Sequence, residues 1–158
     1  MKNLIYYILI SVVFYNCKNS PTTKTFNIPP EITTMYSKYV SAWSGTDFTT
    51  ISEEIYELPF SLYLSDSTIV YKTKKELVSF LTNSFNTLEK NNYGYSITNS
   101  WEHYKKDDNI VVIEMNFTRF LKDSSVMGTK NRTATYILRK KNGEFKISAM
   151  IPHTPVSE

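Results

Sequence analysis

The sequence predicts an α+β fold: a cone-shaped roll in which three N-terminal helices pack on a curved antiparallel sheet. Two observations support this prediction. Between Ile32 and Leu88, most apolar residues recur at the three- and four-residue spacing of amphipathic helices. From Tyr93 onward they recur at every second residue, as in strands with one buried face. Because the strands follow the helices as a run, the order favours α+β over an alternating α/β fold.

The first two helices have recognisable start and stop residues. We expect the first helix between Pro30 and Gly45, since proline suits a first helical turn and glycine suits a helix end. A second, shorter helix is expected in residues 46–58, with Thr46 or Asp47 as its N-cap. The first helix carries one apolar stripe, formed by Ile32, Met35, Tyr36, Tyr39, Val40 and Trp43.

A short hairpin and a third helix follow. The hairpin is predicted in residues 59–71, with its turn at residues 65–67. Thr73 and Glu76 have the spacing of a capping box, which predicts the start of a helix in residues 73–92. The buried stripe of this helix would consist of Leu77, Phe80, Leu81, Ser84, Phe85 and Leu88.

The remaining chain is predicted to form four strands, in residues 94–104, 109–122, 128–141 and 144–151. Asn142 and Gly143 suit a two-residue turn. That turn would pair Leu138 with Ile147, Tyr136 with Ala149, and Ala134 with Ile151. A loop of two or four residues, near residues 122–128, would bring the preceding apolar set onto the same face. That set is Val111, Ile113, Met115 and Phe117.

Residues 1–16 have the features of an export signal. Lys2 supplies a positive charge, and Leu4–Tyr15 is an uncharged, mostly aliphatic and aromatic run. The run is twelve residues long, shorter than the roughly 20 residues that a helix needs to cross a bilayer. It is followed closely by Cys17, the only cysteine, and the letters "FYNC" resemble the lipobox of bacterial lipoproteins. The phenylalanine and the asparagine depart from the usual box, and the alternatives are an uncleaved anchor or an ordinary secretory signal.

The lipoprotein resemblance implies how the chain is divided. Residues 1–16 would be removed, Cys17 would carry acyl chains such as palmitate, and residues 17–27 would form a flexible tether before a domain in residues 28–158. The protein would then be anchored by lipid in a bacterial cell envelope, facing the periplasm or the exterior. A single cysteine excludes a disulfide within the chain. A formal net charge of +3 gives no footprint for nucleic acid.

Two stretches resemble the nuclear transport factor 2-like (NTF2-like) superfamily. "YSKYVSAWSGTDFTTISEEIY" is similar to its first two helices, and "NFTRFLKDSSVMGTKNRTATYILRKKNGEFKI" is similar to its C-terminal strands. "ELPF" and "FTRF" are most similar to an uncharacterised, SnoaL-like branch. The resemblance covers roughly residues 31–151 and implies a roll with a cavity at its open end. It does not imply one activity, because this fold carries unrelated functions.

Tyr39 and His103 are weak candidates for catalysis. Tyr39 aligns with the tyrosine that donates a hydrogen bond to an oxyanion in steroid isomerases of the superfamily, but the assisting acid would fall near Thr135 or Tyr136, where no acid stands. The base would fall near Asp66, in a predicted turn. His103 is a candidate general base if no bulge interrupts its strand. It would then share a face with Tyr95, Ile97, Asn99 and Trp101. The alternative is that both residues are structural.

Arg119 and Arg132 continue the apolar faces of their strands and are therefore predicted to point inward or towards the cavity mouth. Arginine beside an aromatic cavity can hold a carboxylate or a phosphate. The alternative is that these arginines cap carbonyls or pair with Glu102 or Asp107. The complete set of candidate ligand-binding residues is Tyr39, Trp101, His103, Arg119, Arg132 and Tyr136.

Three functions remain open at this point. The first is a non-catalytic domain that binds a small, partly apolar or anionic ligand, or serves as an accessory domain. The second is an isomerase, dehydratase or cyclase that uses Tyr39 and His103 as acid and base. The third is an interaction module whose outer sheet face pairs with another protein or with a second copy. We expect no cofactor and no metal, because two histidines and an acylated cysteine form no metal site.

Overall fold

The computed structural model describes residues 29–105 and 107–153. The predicted signal peptide, Cys17 and the tether lie in residues 1–28, outside the described residues. In the part of the chain that is described, no helix is long and apolar enough to cross a membrane.

Helix α1 spans Pro30–Ser44, as predicted, and ends at Gly45, whose N–H bonds to the carbonyl of Ser41 at 2.9 Å. Helix α2 is shorter than predicted. It covers Phe48–Thr50 and continues as a π-helical turn over Ile51–Ile55. Asp47 caps it by accepting a hydrogen bond from the backbone N–H of Thr50 at 3.0 Å.

The prediction that helix α2 extends to residue 58 is wrong. Strand β1 begins at Tyr56, where the buried tyrosine pairs with Ile147 of the last strand. The sequence reason is Pro59, because a proline favours an extended conformation in the residue before it. Tertiary pairing and the proline therefore act together against helix in residues 56–58.

Helix α3 spans Lys74–Lys90 and starts with the predicted capping box. The Thr73 hydroxyl accepts from the N–H of Glu76, and the Glu76 carboxylate accepts from the N–H of Thr73. Leu77 and Leu81 of its apolar stripe are fully buried against the sheet. Burial of each such side chain contributes about 1.5–3 kcal/mol, so the stripe fixes which face of the helix meets the core.

The sheet has six strands in the order β2-β1-β6-β5-β4-β3. Their bounds are β1 Tyr56–Tyr63, β2 Thr68–Tyr71, β3 Tyr93–Lys105, β4 Ile110–Leu121, β5 Arg132–Lys141 and β6 Glu144–Pro152. The sheet is mixed rather than purely antiparallel, because β1 pairs with β6 in parallel. The helices cover one face, here called the inner face, and the predicted α+β roll is confirmed.

The β5–β6 hairpin keeps the predicted register only near its turn. Leu138 lies opposite Ile147, as expected. Beyond that pair, an extra residue, Ser148, forms a bulge in β6, and its hydroxyl donates to the carbonyl of Ile137 at 3.0 Å. The predicted pairs of Tyr136 with Ala149 and of Ala134 with Ile151 are therefore wrong. The observed partners are Met150 for Tyr136, Pro152 for Ala134 and Thr135 for Ile151.

The β4–β5 pair has the predicted faces but a longer loop. Ile113 lies opposite Tyr136, and Met115 lies opposite Ala134, so the buried sets coincide. Strand β5 starts at Arg132 rather than at residue 128. The loop is even-numbered, covering residues 122–131, but it has neither two nor four residues. Within it, the N–H of Met127 bonds to the carbonyl of Arg119 at 2.9 Å, so the loop folds back along β4.

Strand β3 contains two bulges, at Gly94 and at Asn99, and neither of these residues has a partner in β4. Each bulge reverses the faces of the residues that follow it. Tyr95 and Ile97, between the bulges, are exposed on the outer face. His103 lies beyond the second bulge, opposite the buried Ile113. The prediction that His103 shares a face with Tyr95 and Ile97 is therefore wrong, because Asn99 adds one residue between them.

Candidate functional site

A cavity of about 550 Å³ lies between helices α1 and α3 and the inner face of the sheet. Its size is within the range of small-molecule sites in proteins. Apolar side chains such as Leu81, Phe117 and Met150 supply much of the wall. The aromatic residues with a polar edge in this wall are Tyr36, Tyr39, Trp43, Tyr56, Tyr93 and Tyr136. The cavity therefore offers both contact area and hydroxyl groups.

Three tyrosine hydroxyls meet deep in the cavity. Tyr39 forms side-chain hydrogen bonds with Tyr56 and with Tyr136. Burial raises the pKa of Tyr39, whereas the two hydrogen bonds lower it. Burial also raises the pKa of Tyr56 and of Tyr136 well above the ordinary tyrosine value. All three phenols are thus neutral at physiological pH. A neutral phenol can donate its O–H to a ligand.

Arg119 and Arg132 line the same cavity. The guanidinium carbon of Arg119 lies 5.4 Å from the centroid of the Phe117 ring. Burial lowers the pKa of Arg119, the nearby charge of Arg132 lowers it further, and the tyrosine hydroxyls act in the opposite direction. Because arginine is not deprotonated in proteins, the group stays charged in spite of this lowered pKa. The cavity therefore holds two positive charges.

Arg132 is held by the loop that precedes β5. Its Nη2 atom donates to the carbonyl of Met127 at 3.1 Å, so one predicted alternative, a carbonyl cap, describes part of its role. Its Nε atom is buried and has no hydrogen-bond partner among the described residues. The other alternative, pairing with Glu102 or Asp107, is not seen: Glu102 accepts from the Tyr104 hydroxyl, and Asp107 accepts from backbone N–H groups.

Trp101 and His103 are absent from the described cavity wall. Trp101 packs beneath Tyr36, with ring centroids 4.4 Å apart. Both ring nitrogens of His103 are buried and lack a hydrogen-bond partner within the described residues. The structure therefore brings together Tyr39, Arg119, Arg132 and Tyr136 of the candidate set, but not Trp101 and His103. Asp66, the remaining candidate base, is exposed in the β1–β2 turn.

Among the phenol and imidazole side chains of the wall, four were not in the candidate set: Tyr36, Tyr56, Tyr93 and His153. Tyr36 donates or accepts a hydrogen bond with Thr98 at 2.8 Å, and burial raises its pKa to about 12. Its place one turn before Tyr39 on the apolar stripe was a usable signal. Tyr56 was hidden by the helix prediction, and His153 lay beyond the predicted end of the last strand.

The charged side chains of the cavity wall are positive. No Asp, Glu or Lys is among its described residues, whereas two arginines are. Across the described chain, no three His, Cys, Asp or Glu side chains are grouped to hold a metal ion. The geometry favours binding of a negatively charged group through arginine and phenol donors.

A helix-covered curved sheet with a cavity between its helices and its inner face defines an NTF2-like protein. Residues 30–155 match the family described as NTF2-like protein (DUF6841), and the chain belongs to that family. The resemblance to the NTF2-like superfamily is thereby confirmed. The lipoprotein signal stays a prediction.

Solved structures share the fold at low identity. Aln2 from a Streptomyces species superposes with a TM-score of 0.61 at 12% identity, over 78% of this chain and 87% of Aln2. ActVI-ORFA from Streptomyces coelicolor gives 0.59 at 11%, over 77% and 92%. An NTF2-like superfamily protein from Salmonella enterica gives 0.56 at 15%, over 80% and 90%. No curated protein matches the chain. These likenesses support the fold alone.

Proposed function

We propose that the cavity binds a small, partly apolar ligand that carries a negative charge, and that the domain does not catalyse a reaction. One observation carries this proposal: two arginines line an aromatic cavity whose described wall has no acidic residue. Both arginines are half-buried. A partly desolvated cation without a carboxylate partner carries a free-energy cost, which an anion that enters the cavity would offset.

The wall divides naturally between the two parts of such a ligand. Arg119, Arg132 and the Tyr39 hydroxyl would contact the anionic group. Trp43 and Leu81, from α1 and α3, would contact the apolar body. The enzyme alternative has less support, since Tyr39 faces the cavity and its proposed partner His103 is absent from the described wall. A role of the outer sheet face in binding a partner or a second copy stays a prediction.

The proposal is tested by thermal stabilisation with 2-naphthoate, using 2-naphthamide as the uncharged control. A ligand that binds only the folded state raises Tm through RT ln(1 + [L]/Kd). We expect naphthoate to raise Tm and naphthamide to have a much smaller effect. Arg119→Ala should abolish the difference between the two Tm shifts. Arg139 is an exposed arginine, and Arg139→Ala should preserve that difference.

Two results would contradict the proposal. Equal stabilisation by the acid and the amide would show that charge does not matter. A large fall in Tm of Arg119→Ala without any ligand would show that the arginine supports the fold instead of binding an anion.

We also propose that Cys17 anchors the protein by lipid in a bacterial envelope. The support is the sequence alone: an apolar run of signal-peptide length that closely precedes the only cysteine. Cys17→Ser should leave uncleaved precursor or release soluble protein, as seen by gel mobility and membrane fractionation. Normal processing of this variant, with continued partition into detergent, would refute the anchor.

A further inference from the structure

We infer that the group bound by Arg119 and Arg132 is a compact dianion, such as a phosphate monoester, and not a single monoanion. This inference rests on the proposed anion site and narrows the chemical class of its ligand. It follows from how the two arginines are placed, how one of them is held, and how charge is distributed around them.

The two arginines are diagonal neighbours on one face. Phe117 of β4 lies opposite Arg132 of β5, and Arg119 follows Phe117 by two residues on the same strand. Diagonal positions in an antiparallel pair are about 7–8 Å apart, within reach of long side chains. Both side chains line one cavity. One small group can therefore contact both guanidinium ions.

The loop before β5 holds the Arg132 guanidinium in place. Nη2 is bonded to the Met127 carbonyl, and a Cβ atom on Gly128 would lie only 2.9 Å from that same nitrogen. Gly128 has φ +72°, a conformation that favours glycine. The loop thus leaves room for the guanidinium and fixes its orientation beside the cavity. A donor prepared in this way suits an oxygen-rich ligand.

Charge balance decides between one and two negative charges. The described wall supplies two guanidinium ions and no acidic group, and burial raises the pKa of the Tyr39 and Tyr136 phenols beside Arg119, which keeps both neutral. Both arginines are half-buried. A monoanion would leave one of these partly desolvated positive charges uncompensated, whereas a dianion balances both. A phosphate monoester also presents three terminal oxygens, enough to accept from both arginines and from a phenol.

The test compares phenyl phosphate with phenyl sulfate by calorimetric titration of the purified full-length chain at about pH 8, where a phosphate monoester with a second pKa of about 6 is a dianion. The two probes share shape and apolar body, while the sulfate is a monoanion. We expect the phosphate to bind at least about ten-fold more tightly, a difference of about 1.4 kcal/mol. Equal affinities would overturn the dianion inference and leave the proposed anion site intact. Failure of both probes, and of naphthoate, would overturn both.

Two substitutions test whether Arg132 and Arg119 cause the preference for phenyl phosphate over phenyl sulfate. Arg132→Gln removes the charge but leaves a polar side chain, and it should reduce the preference for phosphate to less than about three-fold, while sulfate still binds. Arg119→Gln, which removes the other guanidinium charge, should reduce the preference for phosphate to the same extent. Arg139→Gln, on the exposed part of β5, should leave the ten-fold ratio unchanged. Retention of the full ratio in both cavity variants would refute the assignment, and a melting curve of each variant without ligand confirms that it is folded.

Discussion

Gly94 offers a sharp test of the bulge that begins strand β3. A Cβ atom at this position would lie 2.6 Å from the carbonyl oxygen of Leu121 and 2.8 Å from its carbonyl carbon. The first distance is about 0.8 Å short of the 3.4 Å at which ordinary contact begins. The atoms in the way are backbone of β4, held by the hydrogen bond from Lys122 N to the Asn92 carbonyl at 3.0 Å. No side-chain rotation can relieve the contact.

We therefore expect Gly94→Ala to lower the free energy of unfolding by about 2–3 kcal/mol, the cost of forcing extra volume into a packed site. Urea unfolding followed by circular dichroism measures this directly. Gly45→Ala is the matched control, because its Cβ would lie 3.4 Å from the nearest atom and its φ of −84° suits any residue. That substitution should be neutral or stabilising by up to about 1 kcal/mol.

A free energy of unfolding for Gly94→Ala within about 0.5 kcal/mol of that of the unmodified protein, the usual range for surface substitutions, would refute this expectation. That result would mean that β3 can move away from β4 at little cost. A loss of the same size in Gly45→Ala would also contradict it, since the effect would then reflect glycine in general and not the close approach at β4.

The cap of α3, the backbone at Thr46 and two hydrogen-bonded carboxylates each contribute to stability in a way that can be measured. Thr73→Ala removes the hydroxyl that caps α3 and should cost about 1 kcal/mol in urea unfolding, whereas no change would show that the cap is dispensable. Thr46 has φ +56°, which is strained for a β-branched residue, so Thr46→Gly should raise Tm. A lower Tm would show that the threonine is not strained there. The Thr50 hydroxyl and N–H lower the pKa of Asp47, and the N–H groups of Lys72 and Thr73 lower that of Glu76. The two ionised carboxylates therefore stabilise the fold at pH values above their unfolded-state pKa values of about 4. This stabilisation is lost as the pH falls through their lower folded-state pKa values. Asp47→Asn with Glu76→Gln should therefore flatten the acid limb of the stability–pH curve, and an unchanged slope would refute this.

The sequence predicted the helices and the general order of strands because their signals are local and repeated. The stripe of α1, the capping box of α3 and the alternation in β4 each involve several residues that agree with one another. The inward direction of Arg119, Arg132 and Tyr136 followed from unbroken alternation in β4 and β5. The predictions that needed only this alternation are confirmed for the β4–β5 faces.

The single-residue bulges could not be read in the same way. Gly94, Asn99 and Ser148 each add one residue to a strand without disturbing its composition, and each changes what lies opposite the residues that follow. The distance of His103 from the cavity could not be predicted either, because alternation indicates the face of the sheet on which a residue lies but not its position relative to the cavity. Tyr36 of α1 covers Trp101, and only the packed structure shows that the cavity lies elsewhere on the inner face.

The two bulges of β3 also affect how readily its edge can pair with a strand of a neighbouring molecule. Within the described residues, strands β2 and β3 form the two edges of the sheet, where a strand from a neighbouring molecule could add. Strand β2 has only four residues. Strand β3 has thirteen, but the bulges at Gly94 and Asn99 break its row of free amides and carbonyls into short, offset pieces. A straight incoming strand can align with one piece at a time, so the long edge resists the continuous pairing from which fibres grow.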